Sequence, residues 1–183
     1  MENQINNVAQ TTAKIVELRR WYIQDKEAFM RLSDSVDSTY DDHFVSRPCS
    51  DSEAMNWIMM MVDAEFEGRG LYRAIIADEN VVGLISVHIP NGNHGVDGEL
   101  GFMMMPESCG KGIATRAITL MVEEVFKRKP IERLSSVVYE PNIASIRVLE
   151  KNGFVLEGRK ANAVKNNGVV YDTLLYGLLR KNQ

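Results

Sequence analysis

Residues 106–117 read PESCGKGIATRA and join a predicted strand to a predicted helix. The strand covers residues 98–105 and stops at the proline, which cannot donate a ladder hydrogen bond. The helix covers residues 113–128, in which apolar residues recur at helical spacing: Ile113, Ala117, Leu120, Met121 and Val125. The glycines at 110 and 112 let backbone amides approach an anion, and the helix points the positive end of its dipole at the same place. A pyrophosphate suits such a turn.

An ordinary glycine-containing turn without a ligand is the simpler interpretation of Gly110-Lys111-Gly112. Two nucleotide-binding motifs are excluded. A Rossmann site needs a third glycine where Thr115 stands, and a P-loop needs Ser or Thr after the lysine, where Gly112 stands. The choice between a bare turn and an anion site therefore depends on the rest of the chain.

Residues 142–154 read NIASIRVLEKNGF and follow a predicted strand at 134–139. Asn142 can cap a helix that runs to Asn152 and ends at Gly153. Asn142 and Ser145 stand one helical turn apart and so share a face. Capping explains the asparagine well but the serine poorly, because a serine in this position contributes little to a helix.

The remaining segments are assigned by the same periodicities. Strands are predicted at 14–21, 71–78, 81–89, 154–161 and 169–179, and helices from Asp25 and over 52–66. In the helix at 52–66, Met55, Ile58, Met59 and Val62 should face a sheet. The order β-α-α-β-β-β-α-β-α-β-β predicts one mixed α/β (α+β) domain over residues 13–183, after a loose polar arm at 1–12. Its sheet should be mostly antiparallel, with about seven strands and four helices.

The composition is that of an ordinary globular protein, with 45% hydrophobic and 25% charged residues among 183. Lys and Arg number 21 against 25 Asp and Glu, a net charge of −4, which disfavours a nucleic-acid partner. No apolar run of about 18 residues or signal peptide is seen, so we expect a cytoplasmic protein with no membrane partner. Cys49 and Cys109 lack zinc-site spacing and predict free thiols and no metal.

In this order, PESCGKGIATRA and NIASIRVLEKNGF resemble the two signature motifs of GCN5-related N-acetyltransferases (GNAT), at the family's usual separation. With the preceding ELGFMM, the chain is most similar to the RimJ/RimL-like branch, which acetylates N-terminal amines of ribosomal proteins. That branch also includes polyamine and antibiotic-inactivating relatives. The resemblance covers about residues 71–179 well and the first helices only loosely.

The resemblance implies acetyl-CoA as co-substrate, with its pyrophosphate on the amides of 109–114 and its pantetheine arm along 98–105. The implied binding residues are Phe102, Met103, Met104, Cys109, Gly110, Lys111, Gly112, Ile113, Ala114, Thr115, Asn142 and Ser145. Cys109 departs from the family's usual Gln or Arg. We therefore expect a weaker or differently shaped phosphate cradle.

The resemblance also implies the catalytic residues. Glu99 would take the amine proton, directly or through water, and partial burial of its carboxylate would suit a base near neutral pH. The alternative is a solvent-facing strand glutamate. Ser145 would donate to the leaving sulfur, and Asn142 would orient the arm. Leu149 occupies the position where many members carry a tyrosine acid, so that mechanism is excluded here.

The sequence says least about the amine that accepts the acetyl group. Trp57, Phe66 and His88 are candidate contacts, as are His43 and His94, although a core tryptophan and solvated histidines are the simpler interpretations. The methionine runs at 59–61 and 103–105 favour core over an acceptor pocket. We expect acetyl transfer to a primary amine such as a protein N-terminus, with a polyamine or an aminoacyl-nucleotide antibiotic as alternatives. A CoA-binding module without catalysis also stays open, and so does a homodimer.

Overall fold

A computed structural model describes residues 15–35, 50–90 and 96–181. These residues form a seven-stranded sheet in the order β1-β2-β3-β4-β5-β7-β6, with four α-helices. Only β4 and β5 pair in parallel. The elements are β1 Val16–Arg19, α1 Lys26–Ser35, α2 Asp51–Phe66, β2 Gly70–Ala77, β3 Asn80–His88, β4 Asp97–Met104, α3 Ile113–Arg128, β5 Arg133–Tyr139, α4 Ile143–Lys151, β6 Val155–Asn166 and β7 Val169–Leu179. The predicted fold class and element order are confirmed.

Two strands, β1 and β6, differ from the predictions by more than one residue. β1 ends at Arg19, and Trp21 beyond it is 2% exposed, with its ring edge-on to Phe29 at a centroid distance of 5.4 Å. β6 continues five residues past the predicted end at 161, because Asn166 pairs with Val169 on β7. Pairing across a tight turn extends a strand whose own residues have little β-propensity.

The helices cover the sheet from both sides. α3 buries five side chains against one face of β2–β5: Ile113, Ala117, Ile118, Met121 and Val125. α1 and α2 bury Phe29, Leu32 and Ile58 against the opposite face. On β4, Leu100 belongs to the α3 side, whereas Met103 packs on the α1–α2 side. The two faces of β4 therefore meet different helices, as the alternation of side chains along a strand requires.

The predicted inner face of α2 is partly wrong. The buried residues are Ala54, Ile58, Met61 and Ala64, whereas Met59 and Val62 are 51% and 48% exposed. This helix is apolar around most of its circumference, so periodicity could not select a face. The alanines let α2 approach the sheet closely, and the long side chains point outward. The expectation of core methionines holds for Met61 and Met105, whereas Met59 and Met60 are exposed.

A buried arginine joins α2, β2 and α3. Arg73 is 3% exposed, and its guanidinium lies 2.7 Å from a carboxylate oxygen of Glu65 and 2.7 Å from one of Glu124. Desolvation works to raise the pKa of Glu65, but hydrogen bonds from Arg73 and Arg20 outweigh it and lower that pKa to about 2. The three elements are therefore held together by charge as well as by apolar packing.

No helix within the described ranges is long and apolar enough to cross a membrane.

Candidate active site

A cleft opens where β4 and β5 separate. They pair only from Asp97 to Glu99, opposite Arg133 to Ser135. Beyond that point β4 follows β3 and β5 follows β7, so the two strands diverge. At the apex the Ser136 hydroxyl donates to the Leu100 carbonyl at 2.9 Å, which replaces the next ladder bond. The resulting cleft has a volume of about 480 Å³.

The backbone of β4 presents hydrogen-bonding groups to this cleft. Met105 donates its N–H to the Val82 carbonyl on the β3 side at 2.9 Å, whereas the Leu100 carbonyl is directed toward β5. Successive residues of a strand direct their N–H and C=O groups to opposite edges. Phe102 is in phase with Leu100, so its N–H points into the cleft where β5 no longer pairs. It is a donor that the sheet does not use.

The N-terminus of α3 forms one end of the cleft. Gly110 and Gly112 have φ of +74° and +76°, a region that other residues enter at a cost. The first helical bond of α3 runs from the Arg116 N–H to the Gly112 carbonyl. The amides at positions 113–115 have no carbonyl to bond within the helix. These residues therefore fit a bound phosphate.

The N-termini of α2 and α4, unlike that of α3, are capped by side chains. Ser50 accepts from the Glu53 N–H at 3.3 Å to cap α2, and Asn142 accepts from the Ser145 N–H at 3.1 Å to cap α4. The residue before α3 is a glycine and supplies no side-chain cap. Since no side chain of the described residues caps α3, the amides at its start are left to a ligand or to solvent.

All but one of the residues predicted to bind the co-substrate line the cleft. The exception is Lys111, which is exposed and is not a lining residue. Cys109 has an exposed thiol that lies 3.6 Å from the Met105 carbonyl oxygen. The sequence analysis missed the lining residues contributed by β5 and α4: Ser136, Val137, Val138, Tyr139, Ala144, Val148 and Lys151. The sequence could have indicated Tyr139, since this residue ends a strand directly before Glu140 and Pro141, where the strand must break.

Glu99 lies at the apex of the cleft and is exposed. The expectation that its carboxylate is partly buried is wrong, because the apolar cluster under α1 and α2 includes Met103 and Met105 but does not extend to Glu99. Its register partners are His88 on β3 and Ser135 on β5. The carboxylate is therefore accessible to an acceptor from the face opposite α3.

Ser145 and Asn142 line the cleft from the first turn of α4. The Asn142 side-chain oxygen is engaged in the cap, whereas its amide NH2 group takes no part in that hydrogen bond. The cap uses the Ser145 backbone and not its hydroxyl. Leu149 is fully buried and is not a lining residue, so position 149 does not face the cleft.

Among the predicted acceptor contacts that lie within the described ranges, the structure brings only His88 close to Glu99. Trp57 packs half-buried against the core between α1 and α2, and Phe66 is 92% exposed at the end of α2. Neither is a lining residue of the cleft. The predicted arm at 1–12, together with His43, Cys49 and His94, lies outside the described residues.

A cleft between diverging strands, with an open helix N-terminus at one end, matches the architecture expected from the two sequence motifs. A family model of the acetyltransferase (GNAT) domain matches residues 16–155. The chain belongs to the GNAT family. It is an N-acetyltransferase, and it is similar to the RimJ/RimL-like branch.

Individual proteins of the family are similar to most of the chain. The SPbeta prophage-derived uncharacterized N-acetyltransferase YokL of Bacillus subtilis is 28% identical over 171 residues, 93% of each chain. The spermidine N(1)-acetyltransferase of Escherichia coli K12 is 27% identical over 82% of this chain and 67% of that protein. The structure of RimL, the ribosomal L7/L12 alpha-N-protein acetyltransferase, in complex with coenzyme A superposes with a TM-score of 0.80 at 21% identity, covering 91% and 94% of the chains.

Proposed function

We propose that the protein transfers the acetyl group of acetyl-CoA to a primary amine by direct attack, with Glu99 as the proton acceptor. The observation that carries this proposal is the course of the cleft. It runs from the open N-terminus of α3 to the exposed carboxylate of Glu99. Acetyl-CoA can therefore enter from one face of the sheet and the amine from the other, and the two can meet in the cleft.

The end of the cleft formed by the N-terminus of α3 suits the phosphate groups of acetyl-CoA. The amides that open α3, together with Gly110 and Gly112, would hold the pyrophosphate. The pantetheine arm would lie between β4 and β5, within reach of the backbone of Phe102. Acetyl-CoA supplies an acyl group activated as a thioester, and no metal is needed for its transfer.

Each of three residues lining the cleft would have a separate role in the reaction. Glu99 accepts a proton from the ammonium group, which leaves a neutral nitrogen able to attack the acyl carbon. The Phe102 N–H donates to the acyl oxygen as negative charge develops there. When the carbon–sulfur bond breaks, Ser145 donates its hydroxyl proton to the sulfur. The nitrogen loses its second proton as the amide forms, and this proton restores the Ser145 hydroxyl through solvent.

For the acceptor, we propose a protein N-terminal α-amine. The similarity to RimL supports this class of acceptor. The similarity to the spermidine acetyltransferase supports a polyamine as the alternative acceptor. The test is purified protein with acetyl-CoA against peptide N-termini, polyamines and aminoacyl nucleotides, read by the mass of one added acetyl group. Calorimetry with coenzyme A runs in parallel. If the protein binds coenzyme A but transfers acetyl to none of these amines, it is a CoA-binding module and not an enzyme.

Replacing Ser145 with Ala is expected to lower kcat about ten-fold, because the thiolate then leaves without a proton donor. The affinity for coenzyme A should stay within about two-fold, since the helix cap uses the Ser145 backbone. Stopped-flow detection of the released thiol measures the rate. Ser145→Thr keeps a hydroxyl and should retain most of the activity. An unchanged kcat in the alanine variant would remove Ser145 from the mechanism.

Replacing Gly110 with Ala is expected to weaken coenzyme A binding about five-fold, measured by calorimetry. A Cβ at this position meets nothing within 4 Å, so the cost is the positive φ alone, about 1 kcal/mol. The unliganded turn can avoid this cost by shifting, whereas the turn that holds a phosphate cannot. Gly168 in the β6–β7 turn is the matched control, with φ of +82° and equally open space. Gly168→Ala should lose comparable stability but no affinity. Equal affinities in the two variants would contradict the phosphate site.

A further inference from the structure

An arginine on β5, close to Glu99, binds one carboxylate on β4 and one on β6, the strand beyond β7. Arg133 on β5 donates to both carboxylate oxygens of Glu157, at 3.1 and 2.8 Å. Its Nε lies 3.4 Å from Oδ1 of Asp97 on β4, which has no other partner among the described residues. The second oxygen of Asp97 accepts from the Ser135 hydroxyl at 3.1 Å. Asp97 is two residues from Glu99, so both carboxylates lie on one face of the sheet.

Glu157 reaches Arg133 because of two local features of the strands. A register shift between Leu156 and Gly158 places Glu157 outside the regular pairing of β6 with β7. Its carboxylate then lies over Gly177 on β7, where a Cβ would overlap it. Gly177 is the register partner of Ser135, which places this cluster in line with Glu99 across the sheet.

The three carboxylates on this face thus differ in their partners. Asp97 and Glu157 share Arg133, whereas Glu99 has no ion-pair partner within the described part of the chain. Asp97 is the next carboxylate along β4, about 7 Å from Glu99. A second ammonium group on an acceptor would have to compete with a guanidinium for its oxygens.

We infer that Arg133 is a specificity-determining residue for the acceptor, which selects amines that carry a single positive charge near the reacting nitrogen. This inference rests on the proposed function. Without Arg133, the face around Glu99 would present two further open carboxylates and one more net negative charge. Diamines and polyamines would then gain an attachment point that the native protein withholds from them.

The test compares acceptors that differ by one charge. One pair is 1,4-diaminobutane and butylamine, and the other is a short peptide with Lys or Met at its second position. The readout is the ratio of kcat/KM within each pair. The wild-type protein should favour the singly charged member, and Arg133→Met should shift each ratio about ten-fold toward the doubly charged one. That shift should shrink as salt is added.

Arg159→Met is the matched control. Arg159 also contacts two carboxylates, Glu140 at 3.1 Å and Asp172 at 2.6 Å, and its removal changes the net charge equally. Its register partner Leu174 belongs to the core under α3, so Arg159 lies on the opposite face from Glu99. Its ratios should stay within about two-fold of the wild type.

A glycine pair tests the same inference without removing the arginine. Gly177→Ala should displace the Glu157 carboxylate and shift the ratios about three-fold in the same direction. Gly158→Ala on β6, where a Cβ meets nothing within 4 Å, should leave them unchanged. These variants decide the matter if Arg133→Met does not fold.

Two results would overturn the inference alone: a wild-type preference for the doubly charged acceptors, or unchanged ratios in Arg133→Met and Gly177→Ala proteins that fold and bind coenzyme A. The absence of transfer to every amine by the wild-type protein would overturn the proposed function, and this inference with it.

Discussion

Replacing Glu99 with Gln is expected to lower kcat for acetyl transfer about 100-fold at pH 7. The amide cannot take the proton of an incoming ammonium group, so the reaction then depends on the small fraction of amine that is already neutral. The affinity for coenzyme A should stay within about two-fold, because the phosphate end of the cleft is formed by α3 and its preceding loop.

The pH profile separates this role from a structural one. As the pH rises toward the pKa of the acceptor, solvent removes the proton, and the rate of the Glu99→Gln protein should climb toward that of the wild type. Glu79→Gln, an exposed carboxylate in the β2–β3 turn, is the control and should show a wild-type profile. A Glu99→Gln protein with full activity at pH 7 would exclude this residue as the proton acceptor.

Replacing Arg73 with Met is expected to lower the free energy of unfolding by about 3–5 kcal/mol at pH 7. The substitution leaves Glu65 and Glu124 without the guanidinium that lies 2.7 Å from each of them. Removing one member of a buried ionic group is costly because the remaining charges are already desolvated. Urea denaturation measures the loss. Arg69→Met removes an exposed pair with Glu67 and should cost under about 1 kcal/mol.

The same network predicts a pH dependence of stability. The pKa of Glu65 falls from 4.5 to about 2 in the folded protein, so the unfolded state binds more protons between these values. Its stabilising contribution is fully present above pH 4.5 and is lost as the pH falls toward 2. The free energy of unfolding should therefore decline over this range in the wild type and less steeply in Arg73→Met. Equal slopes would contradict the role of Arg73.

Much of the cleft was predictable because its ends are made by short stretches of chain. The turn at 109–112 and the cap at Asn142 act over a few residues, so their spacing in the sequence specifies them. The wall formed by β5 was not predictable. Ser136 and Tyr139 become lining residues only because β4 and β5 stop pairing after Glu99, and no local pattern records that divergence.

Local chemistry accounts for the order of the strands and helices and for the helix ends at Gly112, Asn142 and Gly153. Each depends on backbone preferences and hydrogen bonds between near neighbours. Long-range packing determined which side of α2 is buried, why Glu99 is exposed, and how Arg133 reaches a carboxylate 24 residues further along the chain. Such contacts arise from the pairing of distant strands, whose register depends on the assembled sheet and not on any single segment.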